Sequence, residues 1–342
     1  MRILIFLLFL FSFIFAGRFE ASKLMTRGNE LYSEGRYNGA KILYERALEN
    51  GANPTVCLFN IGNCYYRMDS TGRAIVNFKK ASTLAPEFPK PLFNLAGIFQ
   101  QMGDYGKAIV YYKKVLELEP ENTRAKTFLG DCYTSVGNYA SALRYYEEVL
   151  KAKEENINII YTIAEIYIEI GDWENAVGAI KSGINLYPSK AELYFYLGDI
   201  FMVREDPSKA VFHYQQGLSA DYERPDIFLK MAEAAVLEDN LFVAAGYLRK
   251  AGAMKKASER VFSFLGDIYF ELGWMEKSGE AYEKAAEKGS YDALRGIHNI
   301  AYHFFNEGDY EKALSMYNLI LNFRPGNRRV LDDIKETKEL MG

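Results

Sequence analysis

The chain has little of what catalytic and metal sites are made from. Three histidines and three cysteines are spread over 342 residues. No phosphate-cradling glycine loop, GxSxG, HExxH or comparable motif occurs, and no nucleophile stands near an evident base. His298 and His303 are five residues apart, so they do not share a helix face, and His213 is isolated from both. No CxxC or CxxH pair is present to hold a metal. Cys57 and Cys64 lie roughly 10 Å apart if helical, at ~1.5 Å per residue. A disulfide needs Cα atoms about 4.4–6.8 Å apart, and Cys132 is more distant still. Small buried thiols are the reading that remains. Nothing here supplies a catalytic residue, a metal ligand set or a cofactor site. A net charge of −4 argues against a broad nucleic-acid-binding surface. The charge is uneven, however. Residues 17–156 hold 19 basic and 16 acidic side chains, whereas residues 157–342 hold 21 and 29.

A period is there instead. A small residue and an alanine twelve positions later return every 34 residues, as Gly28/Ala40, Gly62/Ala74, Ala96/Ala108, Gly130/Ala142, Ala164/Ala176, Gly198/Ala210 and Ala232/Ala244. Gly266 keeps the phase with Ser278 in the alanine place, and Ala301/Ala313 follow after one extra residue. Within residues 55–88, Leu58, Ile61, Gly62 and Tyr65 share one face of a helix, and Ala74, Phe78 and Ala81 share the face of a second. Asp69 and Gly72 supply turn chemistry between them. Pro86 ends the second helix, because proline lacks the amide and clashes with the preceding turn. Each unit is therefore predicted to be a helical hairpin. The small residue allows close approach, and the aromatic four after the alanine fills the remaining space (Phe78, Tyr112, Tyr146, Tyr214, Tyr282, Tyr317). Most of the chain's many Tyr and Phe residues are accounted for by this demand.

The pattern large–x2–L–G–x2–Y, then A–x3–F–x2–A, then P, resembles the tetratricopeptide repeat. That resemblance implies an all-α solenoid of about nine repeats forming a right-handed superhelix. The units are expected at 21–54, 55–88, 89–122, 123–156, 157–190, 191–224, 225–258, 259–293 and 294–327. Residues 328–342 read as a polar capping helix, which an open-ended stack needs for solubility. The closing proline is present as Pro86, Pro120, Pro188 and Pro325 and missing from the other units.

Residues 1–17, MRILIFLLFLFSFIFAG, have the layout of a secretory signal peptide. Arg2 starts it, and the apolar run from Ile3 to Ala16 spans roughly 21 Å as a helix, short of the ~30 Å hydrocarbon core. Ala16 and Gly17 make a small-residue exit. An exported protein is expected, periplasmic or on the surface of a bacterium. After cleavage no stable membrane span remains. An uncleaved amino-terminal anchor is the alternative.

In the resembled family the first helices line a groove, through the second, fifth, ninth, twelfth and thirteenth places of each unit. Carried onto this chain, the fifth places include Phe59, Phe93, Tyr161 and Phe195. The ninth places include Asn29, Asn63, Asp131, Glu165, Asp199, Glu233 and Asp267. From the fourth to the eighth unit every ninth place is a carboxylate. Two charges 10 Å apart in water repel by only about 0.4 kcal/mol, so such a column is cheap to keep, and it would attract cations. The expected partner is a protein or peptide with an extended basic or aromatic-containing segment. Solvation of a polar face accounts for the same column without a ligand. The clamp with which some family members grip a peptide terminus uses Lys, Arg and Asn; beyond Asn29 and Asn63 the fifth and ninth places named here are aromatic or acidic, so that type is not expected.

Two alternatives stay open. Gly28 to Pro86 resembles the repeat pair of Bat-type aerotolerance-operon proteins, which would make the chain an envelope assembly factor. It lacks the membrane and SH3-like segments those proteins usually carry. The acidic, aromatic groove could also serve a glycan-binding or hydrolytic protein. Paired carboxylates at about 5–9.5 Å would be needed for hydrolysis, and a one-repeat separation is longer.

Overall fold

The computed structural model describes residues 17–152 and 156–342 in full, and residues 2–16 only as the start of the first helix. Of the expected signal, residues 1–17, all but Gly17 lies outside the fully described residues. Among the described residues no helix is long and apolar enough to cross a membrane, and no strand occurs. The fold is all-α, built from helix–turn–helix repeats.

Two compact units divide the chain, Met1–Ile170 and Gly171–Gly342. Unit 1 holds α1 (Arg2–Ser33), α2 (Tyr37–Glu49), α3 (Pro54–Arg67), α4 (Thr71–Leu84), α5 (Pro89–Gln101), α6 (Tyr105–Leu118), α7 (Thr123–Ser135), α8 (Tyr139–Lys151) and α9 (Ile157–Glu169). Unit 2 holds α10 (Trp173–Leu186), α11 (Ala191–Val203), α12 (Pro207–Leu218), α13 (Pro225–Leu237), α14 (Leu241–Gly252), α15 (Glu259–Glu271), α16 (Met275–Glu287), α17 (Asp292–Asn306), α18 (Tyr310–Phe323) and α19 (Arg328–Leu340).

Local chemistry sets the helix ends. Asn53, Asp104, Asn122, Asn138 and Asn156 accept a hydrogen bond from the third amide of the helix each precedes, as do Asp172, Asp206, Asn240, Asp309 and Asn327. Such caps satisfy donors the helix itself leaves open. The turn after each first helix needs one left-handed residue. Glycine supplies it at Gly35, Gly103, Gly137, Gly273 and Gly308, while Asp69, Glu205 and Asp239 adopt φ of 55–56° in the same place.

Packing within a hairpin follows the small-residue period. Ala40, Ala74, Ala108, Ala142, Ala210, Ala244 and Ala313 are fully buried. Ser278 replaces alanine without an orphaned hydroxyl, because its Oγ donates to the Gly266 carbonyl at 2.7 Å. The aromatic ring of the second helix lies directly over the glycine of the first. An added Cβ at Gly28, Gly62 or Gly130 would come within 2.6–2.7 Å of Tyr44, Phe78 or Tyr146.

Cys57, Cys64 and Cys132 are free and fully buried. Burial pushes the thiols up, to about 12 for Cys64 and Cys132. The thiolate is the reactive form, so a thiol reagent at neutral pH is expected to leave the native chain unmodified and to label three sites after unfolding. Rapid labelling of the folded chain would contradict this packing.

Candidate functional site

A groove of about 540 Å³ runs across α1, α3, α5 and α7 of unit 1. Phe93 and Phe128 form an apolar wall, edge to face at 5.8 Å. The Arg124 guanidinium lies 5.2 Å over the Phe93 ring. It makes no ion pair among the described residues. Asn94 donates to Asn63 at 2.8 Å, which fixes two amides side by side on α5 and α3. Tyr66 donates to Gln101 at 2.7 Å and Tyr112 to Gln100 at 2.9 Å. Arg67 donates to the Tyr37 hydroxyl at 2.6 Å. The groove thus presents two guanidiniums, four side-chain amides and several rings, and no carboxylate lines it.

Asn63 and Phe93 of the expected site residues lie in this groove. Phe59 is half-buried beside it, against Phe78 at 5.8 Å and Phe88 at 5.5 Å. Tyr161 is half-buried on α9. Phe195 departs from expectation. It is buried, packed against Gly217, with the Arg224 guanidinium over its ring at 4.7 Å, and it offers no surface to a ligand.

The carboxylate column resolves into two kinds of residue. Where the residue fifteen positions on is a tyrosine, its hydroxyl donates to the ninth place. Tyr146 reaches Asp131 at 2.7 Å, Tyr214 reaches Asp199 at 2.6 Å, and Tyr282 reaches Asp267 at 2.6 Å. Asn29 plays the same part for Tyr44 at 2.8 Å. Burial pushes the Tyr146, Tyr214 and Tyr282 hydroxyls up, so they stay donors. Asp199 also takes Lys230 on both oxygens at 2.7 Å. Where the residue fifteen on is aliphatic, Ile180 or Leu248, the ninth place is a glutamate, Glu165 or Glu233. Glu233 pairs with Arg260 at 2.7 Å. Glu165 is exposed and has no ion pair among the described residues. Four of the five carboxylates are therefore engaged within unit 1 or within unit 2, by a hydroxyl or a cation of the same unit. Changing Glu165 to Gln is expected to move stability by no more than about 0.5 kcal/mol, as for an isolated surface residue. A clear loss on thermal unfolding would give Glu165 a structural partner.

Arg67, Asn94 and Arg124 are among the groove residues that the fifth and ninth places do not reveal. Arg67 stands thirteenth in its unit and Arg124 second, both among the family's groove places. Asn94 stands sixth, outside them. Two of the histidines have packing or hydrogen-bond partners. His298 Nε2 meets Asp333 at 2.8 Å, tying α17 to α19, and His213 stacks on Phe201 at 5.3 Å.

Sequence profiles of the tetratricopeptide repeat match residues 56–88, 161–226 and 259–287. The chain is a tetratricopeptide repeat protein. A profile of anaphase-promoting complex, cyclosome, subunit 3 matches residues 101–183 of this repeat array. No curated protein matches the chain. Among solved structures, the C-terminal part of a tetratricopeptide repeat protein from Cytophaga hutchinsonii is 17% identical, with a TM-score of 0.53 over 70% of this chain and 98% of that one. A tetratricopeptide repeat protein from Parabacteroides merdae is 18% identical over 72% of this chain and 97% of its own, at a TM-score of 0.47. YrrB, described as a tetratricopeptide repeat protein with an unusual peptide-binding site, is 22% identical over 51% and 90%, at 0.39. At these identities the likeness of this tetratricopeptide repeat protein to its neighbours is one of fold.

Proposed function

We propose that this tetratricopeptide repeat protein is an exported, non-catalytic scaffold that holds an extended protein segment in the groove of unit 1. The observation that carries the reading is the composition of that groove. Two guanidiniums and four amides line it with Phe93, Phe128 and Tyr66, and no carboxylate. A guanidinium takes both oxygens of a carboxylate at once, the amides suit backbone groups, and the rings cover an apolar side chain. The segment it fits carries a carboxylate beside an apolar or aromatic residue. The repeat architecture supports a protein as partner, since stacked repeats present extended binding surfaces. A basic segment has less support, because four of the five column carboxylates already have internal donors. The apolar leader supports export to a bacterial envelope.

Display selection of peptides on the full chain tests the reading. Selected sequences are expected to share Asp, Glu or a free carboxyl terminus next to an apolar residue. Their affinity is expected to fall at least about tenfold in Arg67→Ala/Arg124→Ala, which corresponds to ~1.4 kcal/mol. Selection of basic peptides, or equal binding to the variant, would place the partner elsewhere.

A further inference from the structure

Opposite the groove helices, the second helices of unit 1 carry an uneven charge. Helix α4 holds Arg73, Lys79 and Lys80 and no acidic residue, and α6 holds Lys107, Lys113 and Lys114 against Glu117 alone. The neighbouring α2 and α8 balance their cations with Glu45 and Glu49, and with Glu147 and Glu148. Of the six cations on α4 and α6, Lys107 alone forms an ion pair among the described residues, with Asp104. The other acidic groups of this stretch, Glu87, Glu119 and Glu121, stand in the turns that follow the two helices.

Aliphatic side chains are exposed between these cations. Val76 is 50% and Val110 51% exposed, each three residues after a cation and four before another, at one register in successive repeats. Leu84 and Leu118 add to them at the helix ends. A groove of about 600 Å³ joins the two helices, and Lys79, Lys114, Glu117, Leu92, Tyr111 and Leu118 are among its lining. Leaving β-branched and leucine side chains in water has no folding benefit, because exposed apolar area forgoes the transfer free energy that burial provides.

We propose that the outer face of α4 and α6 docks on an anionic lipid surface. Long lysine stems carry their charge to the headgroups while the chain beneath lies on apolar groups. Val76, Val110, Leu84 and Leu118 reach the acyl boundary between them. The composition favours lipid over an acidic protein, because protein interfaces are depleted of lysine and centred on aromatic residues and arginine. It also favours lipid over nucleic acid, which has no use for interleaved aliphatic side chains. The chain as a whole is acidic, so the attraction is local to this face.

Flotation of the full chain with vesicles tests the inference, using phosphatidylcholine alone and phosphatidylcholine with about one-third phosphatidylglycerol. Any contribution of the apolar leader is common to both compositions, so the readout is the ratio between them. The wild type is expected to favour the anionic vesicles by more than tenfold, given about fivefold per cation near such a surface. Lys79→Gln/Lys80→Gln/Lys113→Gln/Lys114→Gln is expected to bring the ratio close to one with helicity unchanged. Val76→Ser/Val110→Ser is expected to weaken anionic binding with the charge intact. An equal removal of charge from unit 2, Lys250→Gln/Lys255→Gln/Lys256→Gln/Lys284→Gln, is expected to leave the ratio unchanged. A wild-type ratio near one, a ratio kept by the first variant, or an equal loss in the unit 2 variant would each overturn the proposal.

Discussion

Tyr214→Ala is expected to destabilise unit 2 by roughly 3–5 kcal/mol, as for other fully buried aromatic residues. The ring is completely buried, lies over Gly198, and its hydroxyl is held by Asp199. Truncation removes the ring from the hairpin interface and leaves the Asp199–Lys230 pair without its third member. The more informative form of the experiment is a swap. Two other repeats use a different set at the same three places: Ala164, Glu165 and Ile180, and Ala232, Glu233 and Leu248. Gly198→Ala alone drives a methyl into the Tyr214 ring and is expected to cost about 1–3 kcal/mol, the range for overpacking a tight core. Combined with Tyr214→Leu and Asp199→Glu, the same methyl faces a smaller side chain. The triple variant is then expected to be at least about 1 kcal/mol more stable than the sum of the single changes, because the three side chains touch. Additive losses on denaturant unfolding would show that the three places are not a packing unit.

Asp131→Ala is expected to cost about 1–3 kcal/mol, because it removes the 2.7 Å acceptor of the buried Tyr146 hydroxyl and leaves only the Thr134 hydroxyl at 3.4 Å. Asp131→Asn should behave in the opposite way. Burial pushes the Asp131 carboxyl above its ordinary value, with the Tyr146 bond pulling only partly against it. A carboxyl raised in the folded state favours the protonated fold, so its stabilising contribution is present below the unfolded value near 3.8 and is lost as pH rises through the folded value. At neutral pH the ionised group therefore weakens the fold. An asparagine keeps the acceptor and carries no charge, as Asn29 does for Tyr44. Asp131→Asn is expected to be neutral or stabilising at pH 7, with that advantage shrinking below about pH 4. A large loss at pH 7 would mean the charge itself holds Tyr146.

The hairpins were legible in the sequence because their determinants are periodic. A small residue, an alanine and a ring at fixed offsets leave one way to pair two helices, and the structure buries each of them. Ser278 broke the pattern by letter, yet its hydroxyl finds the Gly266 carbonyl and its volume suits the site. The candidate site was less legible, since a column read alone hides its partners. Five carboxylates at one register look like an acidic face until the residue fifteen positions on is read beside each. That second column separates Asp131, Asp199 and Asp267, which hold tyrosines, from Glu165 and Glu233, which do not. Phe195 looked like its counterparts Phe59 and Phe93, but Gly217 opens a space on α12 that draws its ring inward. Arg67 and Arg124 carry the charge of the unit 1 groove from places flanking the apolar ones. Only the packing of four first helices brings them to one lining.

Amide hydrogen exchange of the full chain, with and without a display-selected peptide, tests the central claim most directly. The groove reading predicts that bound peptide slows exchange in α3, α5 and α7 and leaves α11, α13 and α15 unchanged. Slowing confined to α11, α13 and α15, where Asp199, Glu233 and Asp267 reside, would contradict it and return the binding face to the acidic column.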